Sequence, residues 1–242
     1  MTPDTSRIHV GATRLVLFDV DGTLLLSGGA GKRALNRAFE EVFGATDAFA
    51  GIPVAGRTDT LIVDDALYRA GVAADQPMRR HFFARYCEYL KEEILYPGPK
   101  KGLLPGVELL LEQLASHSEL VSALLTGNFA AAAQIKLGYF GIWRYFTCGA
   151  YGDDAPVRED LLPIALARAR EAGIPIVSTT DVVVVGDTPL DVQCAAAAGA
   201  RSIAVATGSF NEEALWQAGA DVVLSDLSDS SLFLAAIVEP CT

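Results

Sequence analysis

Histidine and cysteine are scarce in this sequence, and the few that occur are not grouped. The 242 residues include three histidines and four cysteines, with no C-x-x-C pair and no two histidines near each other. This scatter disfavours a zinc site built from imidazole and thiolate ligands. We instead expect free thiols, as in proteins of a reducing compartment, at Cys87, Cys148, Cys194 and Cys241.

Long apolar runs are also missing. No stretch reaches the roughly 18 apolar residues that a membrane span requires. The first residues, MTPDTSRIHVGATR, lack the apolar segment of a signal peptide. The sequence therefore predicts a cytoplasmic protein.

Positive charge is in deficit. Nineteen lysines and arginines stand against thirty acidic residues, which gives a formal net charge of -11. Such a charge repels nucleic acid and anionic membrane surfaces, so neither is expected as a partner. An anionic small-molecule substrate would need a metal ion or a few local cations to reverse the field at its site.

Apolar runs of strand length recur along the chain, separated by segments of helix-forming composition that end at glycine. The runs are continuous rather than alternating, which is typical of parallel strands covered on both faces. Repeated strand–helix units predict an α/β fold with a doubly wound parallel sheet. The predicted strands are RLVLFD, ELVSALLTG, DVVVVGD, RSIAVATG and ADVVLSD, and the predicted helices include FAAAAQIKLGYFG, REDLLPIALARAREAG, PLDVQCAAAAGA and NEEALWQAG.

Residues 27–99 interrupt this pattern. Apolar residues recur there at spacings of three and four, which predicts three helices. The stretch PGPKKGLLPG at the end of this interval has the composition of a hinge or linker. We therefore expect an α/β catalytic core made of residues 1–26 and 100–242, with a small helical cap domain at 27–99.

Polar residues follow three of the predicted strands. Asp19 and Asp21 come after the first strand, 126–128 (Thr-Gly-Asn) after a second, and Asp187 and Asp191 after a third. Because ligands of open α/β sheets bind at the carboxyl ends of the strands, we expect these side chains to converge. Several carboxylates close together require a cation, and oxygen ligands of this kind suit Mg²⁺.

The paired carboxylates of Asp19 and Asp21 suit hydrolysis through a covalent intermediate. One carboxylate can attack an electrophile, while the second protonates the leaving group and then deprotonates the attacking water. A metal ion would screen the charge of an incoming phosphate. These features predict a phosphatase in which Asp19 is the nucleophile and Asp21 the general acid and base.

The motifs DVDGTL, LLTGN and VGDTPLD, in that order, resemble those of the haloacid dehalogenase (HAD) superfamily, in particular its phosphoglycolate-phosphatase-like members with a helical cap. The resemblance implies Asp19 as nucleophile, Asp21 as general acid/base and backbone-carbonyl metal ligand, and Thr126 as the phosphate-binding hydroxyl. It also implies that Asp19 and Asp187 bind Mg²⁺ directly, while Asp191 acts through water or neighbouring contacts.

The chain departs from the family pattern at one basic residue. Where the family usually has a lysine ahead of the last motif, the only cation in GDDAPVREDLLPIALARA at the right place is Arg158. Its planar guanidinium can hold Asp19 and a phosphate oxygen, although it does not simply replace lysine. Lys136 is the weaker candidate, because we expect it to lie on a solvated helix face.

Each of these residues also has an ordinary structural explanation. Thr188 and Asp191 around a proline could only cap a helix, Asn128 could be an N-cap, and Arg158 could be solvated. Their joint placement at strand ends favours a functional site. GGAGKR, residues 28–33, is not a phosphate-binding P-loop, because it lacks the earlier glycine and the Ser or Thr after the lysine.

Several reactions compete for this set of residues. The resemblance argues against a haloacid dehalogenase or a phosphonate hydrolase, because both lack the acid at the position of Asp21. A sugar phosphomutase keeps both aspartates and stays open, and so does a receiver-type signalling module, although such modules need only about half this length and no cap.

A cap over the site favours small phosphorylated metabolites as substrates. In the segment GIPVAGRTDTLI, Thr58 and Asp59 are expected to cap a helix of the insertion. Arg57 is the residue best placed to meet a second anionic group on the substrate, although a solvent-facing arginine is an equal alternative. The predicted substrate-binding residues are Thr126, Gly127, Asn128 and Arg57.

Overall fold

The computed structural model describes residues 13–176 and 178–238, which contain eight strands and nine α-helices. His9 and Cys241 lie outside these ranges. The strands are β1 (Arg14–Phe18), β2 (Leu25–Leu26), β3 (Gly102–Leu103), β4 (Leu120–Leu125), β5 (Gly149–Ala150), β6 (Val182–Gly186), β7 (Arg201–Val205) and β8 (Val222–Leu224). The helices are α1 (Ala30–Phe43), α2 (Asp59–Ala70), α3 (Gln76–Glu93), α4 (Val107–Ser116), α5 (Ala130–Tyr139), α6 (Leu161–Glu171), α7 (Pro189–Ala198), α8 (Glu212–Gln217) and α9 (Ser230–Val238).

Six of the strands form one sheet in the order β5-β4-β1-β6-β7-β8. Every neighbouring pair in this sheet is parallel. The chain moves from β1 to β4 on one side and then to β6 on the other, so the sheet is wound in two directions around β1. The predicted α/β fold with a doubly wound parallel sheet is confirmed.

The central strands are apolar throughout because both faces of the sheet are covered. Val16 and Phe18 pack into one buried cluster, whereas Leu15 and Leu17 pack into a second. Successive side chains of a strand point to opposite faces. A continuous apolar run therefore serves two cores at once.

Short elements that depend on partners are absent from the sequence prediction. β5 contributes only two residues to the edge of the sheet, and β2 pairs with β3 as a two-stranded antiparallel ribbon. Two residues carry no readable periodicity, so their pairing is decided by the surrounding fold. The ribbon places residues 25–26 and 102–103 side by side, which joins the two ends of the helical insertion.

Helices α1, α2 and α3 occupy the insertion and share a buried apolar cluster. Phe39, Phe82, Tyr86 and Leu90 are at most 2 % exposed within it. The cluster also contains Phe129 and residues of α5, which follow β4. The insertion therefore packs directly against α5, a helix of the α/β core. None of the described helices combines the length and apolar character needed to cross a bilayer.

Candidate active site

Three strand ends bring the predicted site residues together. Asp19 follows β1 and donates its backbone N–H to Val185 O of β6 at 2.9 Å. Asp187 follows β6. One carboxylate oxygen from each of Asp19, Asp187 and Asp191 lies within 4.8 Å of the others, and all three residues are buried. The predicted convergence of Asp19, Asp187 and Asp191 is therefore present.

Arg158 lies between two of these carboxylates. It sits in a short 3-10 turn just before α6 and is 4 % exposed. Its Nη2 lies 3.2 Å from Asp19 Oδ1 and donates to Asp191 Oδ1 and, at 3.1 Å, to Leu125 O. Its Nη1 donates to Gly56 O of the insertion at 3.1 Å. Arg158 is therefore buried at the site, and the alternative of a solvated arginine does not hold.

Asp191 combines the structural role and the site role that the sequence left open. It forms a reciprocal capping box with Thr188 at the start of α7, with Pro189 in the first turn. Asp191 Oδ2 accepts from Thr188 N at 3.1 Å and from Thr188 Oγ1 at 2.7 Å, while Arg158 binds its other oxygen. Both oxygens are therefore already engaged within the protein.

Asp187 is less engaged than Asp191. Among the described residues its carboxylate accepts one hydrogen bond, from Thr23 Oγ1 at 3.0 Å. Burial, together with the nearby carboxylates of Asp19 and Asp191, raises the pKa of Asp187 to about 8. Burial also raises the pKa of Asp191 to about 6, against the opposing effect of Arg158. A buried cluster of hard oxygen donors with too few cations fits a divalent ion, and Asp19 and Asp187 have the free oxygens to bind it.

These raised pKa values predict that the metal-free protein becomes less stable as pH rises. Between about pH 4, the ordinary carboxyl value, and about pH 8, folded Asp187 keeps a proton that the unfolded chain has lost. The free energy of unfolding should fall by about 2–5 kcal/mol across this window. Asp191 and Asp59, with pKa values of about 6, act in the same direction in its lower half.

Urea denaturation at several pH values in a chelator measures this effect. Asp187→Asn should flatten the upper half of the profile, because asparagine has no proton to lose. Stability that rises steadily from pH 5 to pH 8 in the wild-type protein would contradict the expectation.

Asp21 belongs to a separate polar group beside the carboxylate cluster. Its side chain is 39 % exposed, and Oδ2 accepts from Asn128 Nδ2 at 2.9 Å and from Lys136 Nζ at 2.5 Å. Lys136 Nζ also donates to Asn128 Oδ1 at 2.6 Å. Thr126 Oγ1 accepts from Asn128 Nδ2 at 2.9 Å. Asn128 therefore connects Thr126, Asp21 and Lys136, and the N-cap of α5 is the following residue, Phe129.

The expectation that Lys136 lies on a solvated face is wrong. Lys136 is 4 % exposed and carries the only positive charge of α5. It lies four residues after Ala132 and three after Ala133, both fully buried, so it shares their face of the helix. That spacing was the signal in the sequence. A single lysine in an otherwise apolar face is kept there by its two polar partners.

At two positions of this site, glycine lets another group approach the backbone closely. A Cβ atom at Gly22, whose φ is +88°, would lie 2.4 Å from Asp187 Oδ2. A Cβ atom at Gly127 would lie 2.1 Å from Arg57 O of the insertion. Larger residues at these positions would displace a site carboxylate or the insertion.

A cavity of about 370 Å³ lies between the insertion and the strand ends. Asp19, Asp21 and Asp187 form part of its floor, and the predicted residues Gly127 and Asn128 line it. The remaining lining comes from both the insertion and the core and includes Leu35, Phe49, Arg57, Asp59, Ile62, Tyr86 and Lys100. Its volume is in the range of small-molecule pockets.

Arg57 and Asp59 lie on the insertion side of the cavity. Arg57 Nη1 donates to Asp65 Oδ2 at 2.8 Å, and its side chain is 22 % exposed. Thr58 is the N-cap of α2, as predicted, and accepts from Leu61 N. Asp59 caps a different helix, because its Oδ2 accepts from Phe129 N at 2.9 Å. The start of α2 is thereby held against the loop that contains Gly127.

A comparison with known protein families identifies the family of this chain. The family model described as haloacid dehalogenase-like hydrolase matches residues 16–196. The chain belongs to this family. As a HAD-like hydrolase it is an enzyme, as predicted, and the family match makes the receiver-type alternative untenable.

Relatives of this HAD-like hydrolase are similar over most of its length. A phosphoglycolate phosphatase from Yersinia pseudotuberculosis is 28% identical over 234 residues, which cover 90% of this chain and 91% of the relative. A solved structure from Haemophilus somnus, described as a predicted phosphoglycolate phosphatase, has a TM-score of 0.67 at 22% identity. The match covers 91% of this chain and 97% of the Haemophilus chain. A Thermotoga maritima structure described as a candidate β-phosphoglucomutase has a TM-score of 0.59 at 20% identity. That match covers 92% of this chain and 98% of the Thermotoga chain.

Proposed function

We propose that this HAD-like hydrolase is a Mg²⁺-dependent phosphatase of small phosphorylated metabolites and that it reacts through an aspartyl-phosphate. The observation that carries the proposal is the arrangement around Asp19. Asp19 lies 3.2 Å from the Arg158 guanidinium, within a buried carboxylate cluster, on the floor of a cavity beneath the insertion. Asp21 lines the same cavity two residues further on.

In the first step, a carboxylate oxygen of Asp19 forms a bond to phosphorus while the bond from phosphorus to the ester oxygen breaks. The ester oxygen takes the electron pair of that bond and a proton from Asp21 and leaves as an alcohol. Arg158 orients Asp19, and the Thr126 hydroxyl and the backbone at Gly127 are the proposed donors to the phosphoryl oxygens.

In the second step, Asp21 takes a proton from water as the water oxygen attacks phosphorus. The bond from phosphorus to Asp19 breaks, which regenerates the Asp19 carboxylate and releases inorganic phosphate. Asp19, Asp187 and the backbone carbonyl of Asp21 would hold Mg²⁺ directly, while Asp191 would act through water or neighbouring contacts. When bound, the ion supplies positive charge that offsets the charge of the phosphoryl group.

The cap limits the substrate to a small molecule. We propose residues 27–99 as that cap domain, on a core of residues 1–26 and 100–242, because the insertion contributes a large part of the cavity lining. A cavity of about 370 Å³ accepts a phosphoglycolate-like metabolite and excludes macromolecules. Arg57 is the proposed contact for a second anionic group of the substrate, and its ion pair with Asp65 holds the arginine at the cavity wall.

A sugar phosphomutase remains the alternative. One of the structural neighbours is described as a candidate β-phosphoglucomutase, and nothing among the site residues separates the two reactions. A mutase returns the phosphoryl group to the substrate, whereas a phosphatase transfers it to water. Release of inorganic phosphate from one substrate in the absence of a bisphosphate separates them.

Phosphate release from p-nitrophenyl phosphate and from a set of phosphorylated metabolites tests the proposal. The protein should be active with Mg²⁺ and lose activity when the ion is chelated, with recovery when Mg²⁺ is added back. Because Asp160 is exposed and makes no side-chain cap hydrogen bond, Asp160→Asn serves as a control that should keep full activity. Full activity after chelation would refute the metal requirement, and no phosphate release from any ester would refute the phosphatase.

A further inference from the structure

Lys136 approaches the carboxylate of Asp21 more closely than any other charged group of the described chain does. Its Nζ lies 2.5 Å from Asp21 Oδ2. Among the described residues it donates hydrogen bonds to two side chains of the site, those of Asp21 and Asn128. The site thus contains two buried cations with different partners. Arg158 contacts Asp19 and Asp191, whereas Lys136 contacts Asp21 and Asn128.

We propose that Lys136 is a positioning residue for the proton transfer of Asp21. This inference rests on the proposed phosphatase function. It assigns a role to Lys136, which is not among the site residues predicted from the sequence. Lys136 and Asn128 both donate to Oδ2 of Asp21, at 2.5 Å and 2.9 Å. No described residue donates to Oδ1, so that oxygen is left to exchange the proton with the leaving group and then with water.

The surroundings of Lys136 hold its ammonium group in this place. A Cβ atom at Gly31 of α1 would lie 3.5 Å from Nζ, so the insertion passes directly over the lysine. The side chain is 6 % exposed. A long flexible side chain that is covered in this way and bonded to two partners keeps a fixed geometry. Lys136 can therefore hold Asp21 in the orientation that proton transfer needs.

The contact between Lys136 and Asp21 matters because the Asp21 side chain is partly exposed and is not fixed by burial. The Asp21 side chain is 39 % exposed, unlike the buried carboxylates of the cluster. A partly exposed aspartate can rotate into the cavity or toward solvent. Two donors on one oxygen, one of them charged, restrict that rotation. Loss of Lys136 should therefore impair proton transfer without removing the groups that bind phosphate.

Two aryl phosphates distinguish proton transfer from binding. Phenolate is a poor leaving group without a proton, because the pKa of phenol is about 10, as for tyrosine. The nitrophenolate of p-nitrophenyl phosphate leaves without one. In Lys136→Met, kcat/KM, which reports the step that breaks the ester bond and not the later attack of water, should fall about 10- to 100-fold for phenyl phosphate, a part of the 10²- to 10⁴-fold contribution of a general acid. The kcat/KM for p-nitrophenyl phosphate should fall by less than ~3-fold, because its leaving group needs no proton.

Three further proteins complete the experiment. Lys91→Met removes an exposed lysine of α3 and should leave both rates unchanged. Lys136→Gln keeps a hydrogen-bond donor and should show the same selective loss, so it replaces the Met variant if that fails to fold. In an Asp21→Asn background, Lys136→Met should change either rate by less than ~3-fold, because its partner is already gone.

Equal losses on both esters, or no loss on phenyl phosphate, would overturn the positioning role while leaving the phosphatase proposal intact. A large further loss in the Asp21→Asn background would also overturn it. If the wild-type protein hydrolysed neither ester, the phosphatase proposal itself would fail, and the role of Lys136 would fail with it.

Discussion

Replacing Asp19 by asparagine is expected to abolish turnover, with a loss on the order of 10⁴-fold or more. The neutral amide oxygen is a much weaker nucleophile than the negatively charged carboxylate with which Asp19 is proposed to attack phosphorus. The asparagine side chain is nearly isosteric with that of Asp19 and would remain in the same buried position beside Arg158. The loss should therefore occur in kcat, in a protein that still folds.

Phosphate release and mass spectrometry of rapidly acid-quenched reactions measure this result. The wild-type protein should gain the mass of one phosphoryl group on the peptide that contains residue 19, and the Asp19→Asn variant should not. The Asp160→Asn control should behave as the wild-type protein. Residual activity within about tenfold of wild type, or a phosphorylated peptide elsewhere in the chain, would remove Asp19 as nucleophile.

Replacing Arg158 by methionine is expected to lower the free energy of unfolding by about 3–5 kcal/mol, the usual cost of leaving a buried charge without its partner. Arg158, Asp19 and Asp191 are each at most 5 % exposed, so water cannot replace the lost guanidinium. In a chain of this size the loss corresponds to a fall in Tm of roughly 10 °C. Phosphatase activity should fall as well, since Asp19, the proposed nucleophile, loses its neighbouring cation.

Thermal melts of Arg158→Met and Arg168→Met, in chelator, measure the difference between a buried and a partly exposed ion pair. Arg168 binds Asp154 with side-chain exposures of 39 % and 18 %. Its loss should cost about 1 kcal/mol or less, because water screens such pairs. Similar Tm values for the two variants would refute the structural role of Arg158.

The deficit of Arg158→Met should also shrink as pH falls. Burial raises the pKa of Asp191 to about 6 even with the guanidinium present. Without it the carboxyl should hold its proton more tightly, and at about pH 5 a neutral Asp191 no longer needs a partner. A deficit that grows on acidification would contradict this explanation.

The sequence was sufficient for the architecture and for the strand-end residues. Continuous apolar runs predict parallel strands, and residues that directly follow parallel strands must meet at one edge of the sheet. Asp19, Asp187 and the Thr126 loop could be located in this way. Their placement depends only on strand order around β1, which the connection rules restrict strongly.

Local capping could be read from the sequence too, but its meaning could not. Thr188, Pro189 and Asp191 predict a helix start, and the structure contains it. Only the tertiary structure shows that Asp191 also binds Arg158. The two roles coincide because the first turn of α7 begins at the strand end where the site lies.

Lys136 and Asp59 mark the limit of prediction from sequence. Both are charged residues on helices, where the usual expectation is solvent exposure. Each is buried because two segments distant in the chain meet over it: the insertion covers Lys136, and the loop before α5 contacts Asp59. Sequence periodicity identifies the face of a helix but not what packs against that face. The strands and the position of Asp19 at a strand end can therefore be predicted from local sequence, whereas the partners of the buried charges are decided only when the insertion and the sheet pack together.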